Sequence, residues 1–110
     1  METFVKGDVV VLPFPFSDLS ASKRRPALVL VSLAGEDIVL CQITSQSLND
    51  SYSVPLFESD IVSGKLIKES NIRPNRIFTA SKKIISYKAA AVSRHKLLEV
   101  RNKIVSLLDQ

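Results

Sequence analysis

Short apolar runs broken by turn residues fill most of the chain, and a helical repeat replaces them near the end. Gly7-Asp8 precedes Val9-Val10-Val11-Leu12, a β-branched run that predicts a buried strand. Pro13 and Pro15 follow. Neither can donate to a ladder, which places this stretch at an edge, a bulge or a strand exit. Ser17 to Ser22 is loop by composition. Pro26 can open a second strand, Ala27-Leu28-Val29-Leu30-Val31, because a first position tolerates a missing N–H. A turn at Leu33-Ala34-Gly35-Glu36 leads into a third strand, Asp37 to Thr44, so strands two and three are predicted to form an antiparallel hairpin.

A polar stretch, Ser45 to Ser51, interrupts the pattern. Ser53-Val54-Pro55-Leu56 reads as a short edge strand, and Gly64 marks a turn. Lys65-Leu66-Ile67, Ser70-Asn71-Ile72-Arg73 and Ile77-Phe78-Thr79 read as three further short strands. Ile84-Ile85 suits a helical turn, and Ala89-Ala90-Ala91-Val92 suits a strand or a helix. After Ser93, an acceptable N-cap, Leu97, Val100, Ile104 and Leu107 recur at helical spacing, with Leu98, Val105 and Leu108 widening the stripe. Arg94, Lys96, Glu99 and Lys103 take the other face. Strands first and one amphipathic helix last predict an α+β fold, a small curled antiparallel sheet with a helix laid against it.

The length of 110 residues bounds this to one domain, residues 1–110, and 45% hydrophobic residues suffice for a core. No basic segment followed by an apolar block opens the chain, and no apolar run approaches the ~20 residues of a membrane span. The single cysteine, Cys41, has no internal partner and lies in the apolar run Ile38-Val39-Leu40-Cys41, which suits a buried inert thiol. These features are those of a cytoplasmic protein. The net charge is +4, and its distribution is uneven. Residues 26–62 hold five acidic residues and no Lys or Arg, whereas residues 65–88 hold seven basic residues against Glu69 alone. Lys23-Arg24-Arg25 forms a further basic turn at the mouth of the second strand. Folding that turn beside 65–88 would create a positive face that attracts polyanions; the competing reading is a solvated lysine-rich surface.

Several segments in order resemble the MazF/PemK family of toxins from toxin–antitoxin pairs. They are Gly7-Asp8-Val9-Val10, Arg25-Pro26-Ala27-Leu28-Val29-Leu30 after a polar loop, and Ile43-Thr44-Ser45 at the end of the following strand. Ser70-Asn71-Ile72-Arg73-Pro74 resembles the family's later strand with its basic residue. The resemblance implies an SH3-like antiparallel barrel (MazF/PemK/CcdB-like) with added helices, a symmetric homodimer, and metal-independent cleavage of single-stranded RNA. In that reaction a 2′-hydroxyl attacks the neighbouring phosphate, leaving a 2′,3′-cyclic phosphate and a 5′-hydroxyl. It further implies that Arg25 and Thr44 are catalytic, and that Lys23, Arg24, Ser45, Arg73 and Asn75 contact RNA.

The chemistry suits these residue types. In-line attack builds negative charge on the equatorial phosphate oxygens, to which a planar guanidinium donates two parallel hydrogen bonds. Thr44 can bond a phosphate oxygen through a hydroxyl held by a stiff β-branched side chain. Arginine stays protonated at working pH and makes a poor general base. The only histidine, His95, begins the C-terminal helix and reads as a surface residue. Some family members place an aspartate two residues after the later arginine; here that position is Asn75, which exchanges no proton, so Arg73 reads as an RNA or phosphate contact. Arg25 has a structural alternative, pairing with Asp18 or a backbone carbonyl, and Thr44 the alternative of merely ending a strand. Lys23 and Arg24 are loop charges or RNA-backbone anchors. Phe14 and Phe16 suit the core or the stacking of a splayed base, and Ser17 to Ser22 suits a lid or a plain connection. Neither a His/Cys cluster nor a glycine-rich phosphate loop is present, so no metal or cofactor is expected.

The expectation is therefore a sequence-specific endoribonuclease toxin acting on mRNA and held inactive by a cognate antitoxin whose acidic, initially disordered segment folds across the basic groove. Its rivals share the fold without cutting RNA. One is a gyrase poison, the other an inactive RNA- or antitoxin-binding protein that helps repress its own operon.

Overall fold

The computed structural model describes residues 3–14, 23–46, 50–66 and 68–110. The loop expected at Ser17 to Ser22, with Phe16, Asp18 and the possible Arg25–Asp18 pair, lies outside them, as does Ile67. Seven strands make one antiparallel sheet: β1 (Asp8–Phe14), β2 (Lys23–Ser32), β3 (Asp37–Thr44), β4 (Val54–Leu56), β5 (Ile61–Gly64), β6 (Ser70–Ser81) and β7 (Tyr87–Val92). Their lateral order is β4-β6-β3-β2-β1-β7-β5. The sheet curls into a half-barrel, and helix α1 (Arg94–Leu108) follows the last strand.

The predicted β2–β3 hairpin forms, with Ala27 opposite Gln42 and Leu28 opposite Cys41. β2 starts at Lys23, three residues before Pro26. Pro26 is tolerated inside it because the β2–β3 ladder ends at Ala27, where no N–H is required. The short strands expected at 70–73 and 77–79 are one twelve-residue strand, β6. They looked separate because Pro74-Asn75-Arg76 bulge out between them: Gln42 pairs with Arg73, while the preceding Cys41 pairs with Ile77. No strand forms at Lys65-Leu66; Ile61–Gly64 pairs with β7 in its place. Gly64 ends that strand with φ of 77°, and a Cβ there would collide with the Ala89 carbonyl oxygen. Ala89–Val92 is strand, paired with β1 and β5. The helical turn near Ile84 is a 3₁₀ turn, Lys82–Ile84.

Two apolar clusters occupy opposite faces of the sheet. One joins Val9, Leu28, Cys41, Ile43 and Ile72 to Val100, Leu97 and Ile104 of α1. The other joins Val10, Leu12, Phe14, Ala27, Val29, Ile38 and Leu40 to Phe4 and Phe78. Burial pushes the Cys41 thiol up to about 12, as expected for an inert core thiol.

Ser93 caps α1 by accepting the Lys96 N–H at 3.1 Å. Two expectations for the helix fail. Lys96, assigned to the solvent face, is buried, because its ammonium reaches the Pro55 carbonyl and the Glu99 carboxylate at 2.8 Å each and Asp60 at 3.5 Å. Leu98, Val105 and Leu108, assigned to the apolar stripe, are exposed, because the helix rests on β4 and β6 along a narrower line through Leu97, Val100 and Ile104.

Candidate functional site

Alternation along three adjacent strands assembles the site. On β2, Val29 and Ala27 belong to the cluster facing away from α1, so Arg25 and Lys23 continue the same face. On β3, Ile38 and Leu40 belong to that cluster, and Gln42 and Thr44 continue it. Across the next ladder Arg73 pairs with Gln42 and Asn71 with Thr44, so both β6 residues share the face. The β2–β3 ladder ends at Ala27 opposite Gln42, with Arg25 and Thr44 each two residues beyond that last pair on their strands. The apolar cluster thus grades into a polar end carrying Lys23, Arg25, Gln42, Thr44, Asn71 and Arg73.

The sequence-predicted residues divide. Arg25, Thr44 and Arg73 come onto this one face, half-buried, with exposed Lys23 beside them. Arg24 pairs with Pro13 and alternates to the opposite face. Ser45 is exposed just past the end of β3. Asn75 is exposed on the bulge, out of the pairing register. His95 is exposed on α1, on the other side of the sheet. Gly7-Asp8 lies outside this polar row and makes structural contacts. Gly7 exchanges backbone bonds with Val29 and Val92, and the buried Asp8 carboxylate accepts the Val5 N–H at 2.9 Å.

The hydrogen bonds are unevenly distributed. Thr44 Oγ1 accepts the Gln46 N–H at 3.2 Å, and Asn71 Nδ2 donates to the Gln46 carbonyl at 3.0 Å. Arg73 donates to Asp50 at 3.0 Å. Asp50 is itself held in a turn by the backbone N–H groups of Tyr52 and Ser53, each at 3.0 Å. The Ser53 N–H above all, then that of Tyr52 and the Arg73 charge, hold this carboxyl below its ordinary range against some desolvation. Among the described residues, Arg25 Nε and Arg73 Nε are buried without a hydrogen-bond partner. Such orphans are rare in folded proteins and call for an explanation.

A cavity of about 300 Å³ opens beside this row, lined by Phe14, Gln42, Arg76, Ile77 and Phe78. Phe14 and Phe78 meet edge to face with ring centroids 5.2 Å apart. Another, of about 260 Å³, lies on the α1 side between Ser53-Val54 and Glu99 to Ser106, away from the polar row. No three His, Cys, Asp or Glu side chains among the described residues are placed to hold a metal ion. No described helix is long and apolar enough to cross a membrane.

Sequence reasoning missed Gln42, Asn71, Asp50 and Arg76. Gln42 and Asn71 left a signal, each lying two residues from a chosen residue on its strand. The position of Asp50 left none, because a turn twenty-three residues away in sequence brings it to Arg73.

Many solved structures share the whole fold. A MazE–MazF crystal structure from Deinococcus radiodurans superposes with a TM-score of 0.78 at 23% identity, covering 99% of each chain. An endoribonuclease in complex with its cognate antitoxin, from a mycobacterial species, gives 0.75 at 17% identity, covering 97% of this chain and 96% of that one. A mycobacterial endoribonuclease gives 0.73 at 18% identity, covering 99% and 94%. No curated protein matches the chain in sequence. The family described as the PemK-like, MazF-like toxin of type II toxin–antitoxin systems matches residues 5–108. With that match spanning nearly the whole chain, and with the motif residues set in this fold, the protein belongs to the PemK/MazF toxin family.

Proposed function

We propose that this toxin is a metal-independent endoribonuclease that cleaves single-stranded RNA by 2′-hydroxyl attack, leaving cyclic phosphate and 5′-hydroxyl ends. The observation that carries the reading is the pair of buried guanidinium nitrogens, Arg25 Nε and Arg73 Nε, left without partners on the face that also bears Thr44. The fold does not use these donors, and the half-buried Arg25 side chain that carries one of them is the group offered to an anionic oxygen. Arg25 clamps the equatorial oxygens as charge builds on them, the kind of preorganised contact worth about 3 kcal/mol. The Gln46 N–H occupies a lone pair of the Thr44 hydroxyl, which leaves the Thr44 proton for a phosphate oxygen. Arg73 and Lys23 bind flanking phosphates. Ser45 and Asn75, exposed at the rim, meet the RNA outside the reacting centre, whereas Arg24, on the opposite face, takes no part at this centre. Catalysis rests on charge stabilisation and alignment of the 2′-hydroxyl.

The toxin works as a homodimer in the cytoplasm, acts on mRNA, and is neutralised by an antitoxin with an acidic, disordered segment. Structural neighbours of the same fold are solved with their antitoxins. Asp50 supports the electrostatic part of this reading: Arg73 already donates to a carboxylate from within the chain, and an acidic peptide offers the same group.

The test is cleavage of a long unstructured RNA in EDTA, wild type beside Arg25→Ala, with end-group analysis. Discrete cuts by wild type alone, ending in cyclic phosphate and 5′-hydroxyl, are expected. No cutting by folded wild type, or undiminished cutting by Arg25→Ala, would overturn the assignment.

A further inference from the structure

The cavity between Gln42 and the β6 bulge is not needed by the phosphate chemistry. We infer that it is a nucleobase subsite in which Gln42 reads the edge of one splayed base beside the cleaved phosphate. The inference rests on the ribonuclease reading and adds a specificity-determining residue to it.

Three observations carry it. First, the cavity results from a break in the sheet. The ladder steps from Gln42↔Arg73 to Cys41↔Ile77, and the excluded residues Pro74-Asn75-Arg76 leave a gap beside β3. Bulges of this kind recur beside active sites, where they re-aim side chains. Second, the lining suits a flat heteroaromatic ring. Phe14, Phe78 and Ile77 give apolar walls, while the Gln42 amide and the Arg76 guanidinium give the polar groups. About 300 Å³ is the lower end of the range for ligand cavities, and stacking of a splayed base on aromatic walls is a common mode of single-strand recognition. Third, position is right. Gln42 lies in the same cross-strand row as Arg73, one alternation along β3 from Thr44, so a base seated there belongs to a nucleotide adjoining the phosphate site.

Gln42 is the one polar residue in the run Ile38-Val39-Leu40-Cys41-Gln42-Ile43. A side chain there has no packing reason to be an amide. Its carbonyl accepts and its NH₂ donates, a side-by-side pattern that matches the adjacent donor and acceptor of a base edge. Arg76 offers donors only, which biases the pocket toward a base presenting an acceptor on its second edge.

The test separates this inference from the nuclease reading. In an Arg25→Ala background, where nothing should be cut, binding to labelled oligo-A, oligo-C, oligo-U and a G-containing oligoribonucleotide is measured at one salt concentration. The same panel is then run with Gln42→Met, which keeps the side-chain length and removes the amide, and with Arg76→Leu, an exposed position that leaves the core intact. The ratio of best-bound to worst-bound oligomer is expected to fall on the order of tenfold in Gln42→Met, and to fall in Arg76→Leu. Ratios unchanged in both variants, or no base preference in the parent, overturn the inference even if wild type cuts RNA. A Gln42-dependent ratio with no cutting by wild type in EDTA leaves the base pocket standing and removes the nuclease.

Discussion

Lys96→Met probes how the helix holds the site's supporting edge. The ammonium donates to the Pro55 carbonyl of β4 at 2.8 Å, reaches Asp60 at 3.5 Å and bonds Glu99 at 2.8 Å, with the lysine side chain 6% exposed. Methionine keeps the apolar stem and opens no large cavity, so the loss is electrostatic. One charged hydrogen bond to a backbone carbonyl is worth about 1.5–3 kcal/mol. The Glu99 pair adds at most about 0.5 kcal/mol because that carboxylate is 45% exposed and screened. Asp60 keeps the Phe57 N–H, which limits its penalty. The expected loss is about 2–3 kcal/mol, a fall in Tm of roughly 10–20 °C for a domain of this size. Urea and thermal unfolding followed by circular dichroism at neutral pH measure it, with Glu99→Gln as a control expected to lose less than about 0.5 kcal/mol. The effect should reach the site, because Pro55 pairs with Asn71 and Val54 with Ile72 of β6. A Lys96→Met loss below about 0.5 kcal/mol, or one matched by Glu99→Gln, would refute the assignment of Lys96 as the pin between helix and sheet edge.

Four further outcomes follow from the geometry. Arg25→Met should abolish RNA cleavage by at least about a hundredfold while leaving unfolding stability unchanged or raised by about 1 kcal/mol, since a buried unpartnered donor is removed; a large parallel loss of stability would show that the arginine serves the fold. Asp50→Asn keeps an oxygen for the Tyr52 and Ser53 N–H groups but releases Arg73, so RNA binding should tighten and its log–log salt slope steepen by about 0.7; an unchanged slope argues against Arg73 as a phosphate contact. Because the Asp50 carboxyl titrates below its ordinary range, the stability it adds is present above that range and lost as pH falls through the lowered value. The Asp50→Asn difference should therefore be flat from pH 5 to 8 and shrink only in more acid solution. Finally, with its thiol pushed up to about 12, Cys41 should resist alkylation at pH 8 in the native protein and label readily in urea, as a thiol-reagent time course would show.

By itself the sequence determined the local pieces. β-Branched runs and turn residues marked β1, the β2–β3 hairpin and β4, because a strand's period and its punctuation are local properties. The same holds for the Ser93 cap and the Leu97-Val100-Ile104 stripe. The ordered motifs around Arg25 and Thr44 identified the family without any geometry. Tertiary structure alone decided the rest. Period-two alternation says which residues share a face of one strand, but not which strand lies alongside; β6 pairs with β3 across an intervening β4 and β5, and only that pairing puts Asn71 and Arg73 in rows with Thr44 and Gln42. The proline that split β6 into two apparent strands marks the bulge that opens the cavity. Lys96 is polar by composition yet buried by its partners, each supplied by a different segment. Strand identity depends on neighbours in sequence, whereas burial, register and charge pairing depend on neighbours in space.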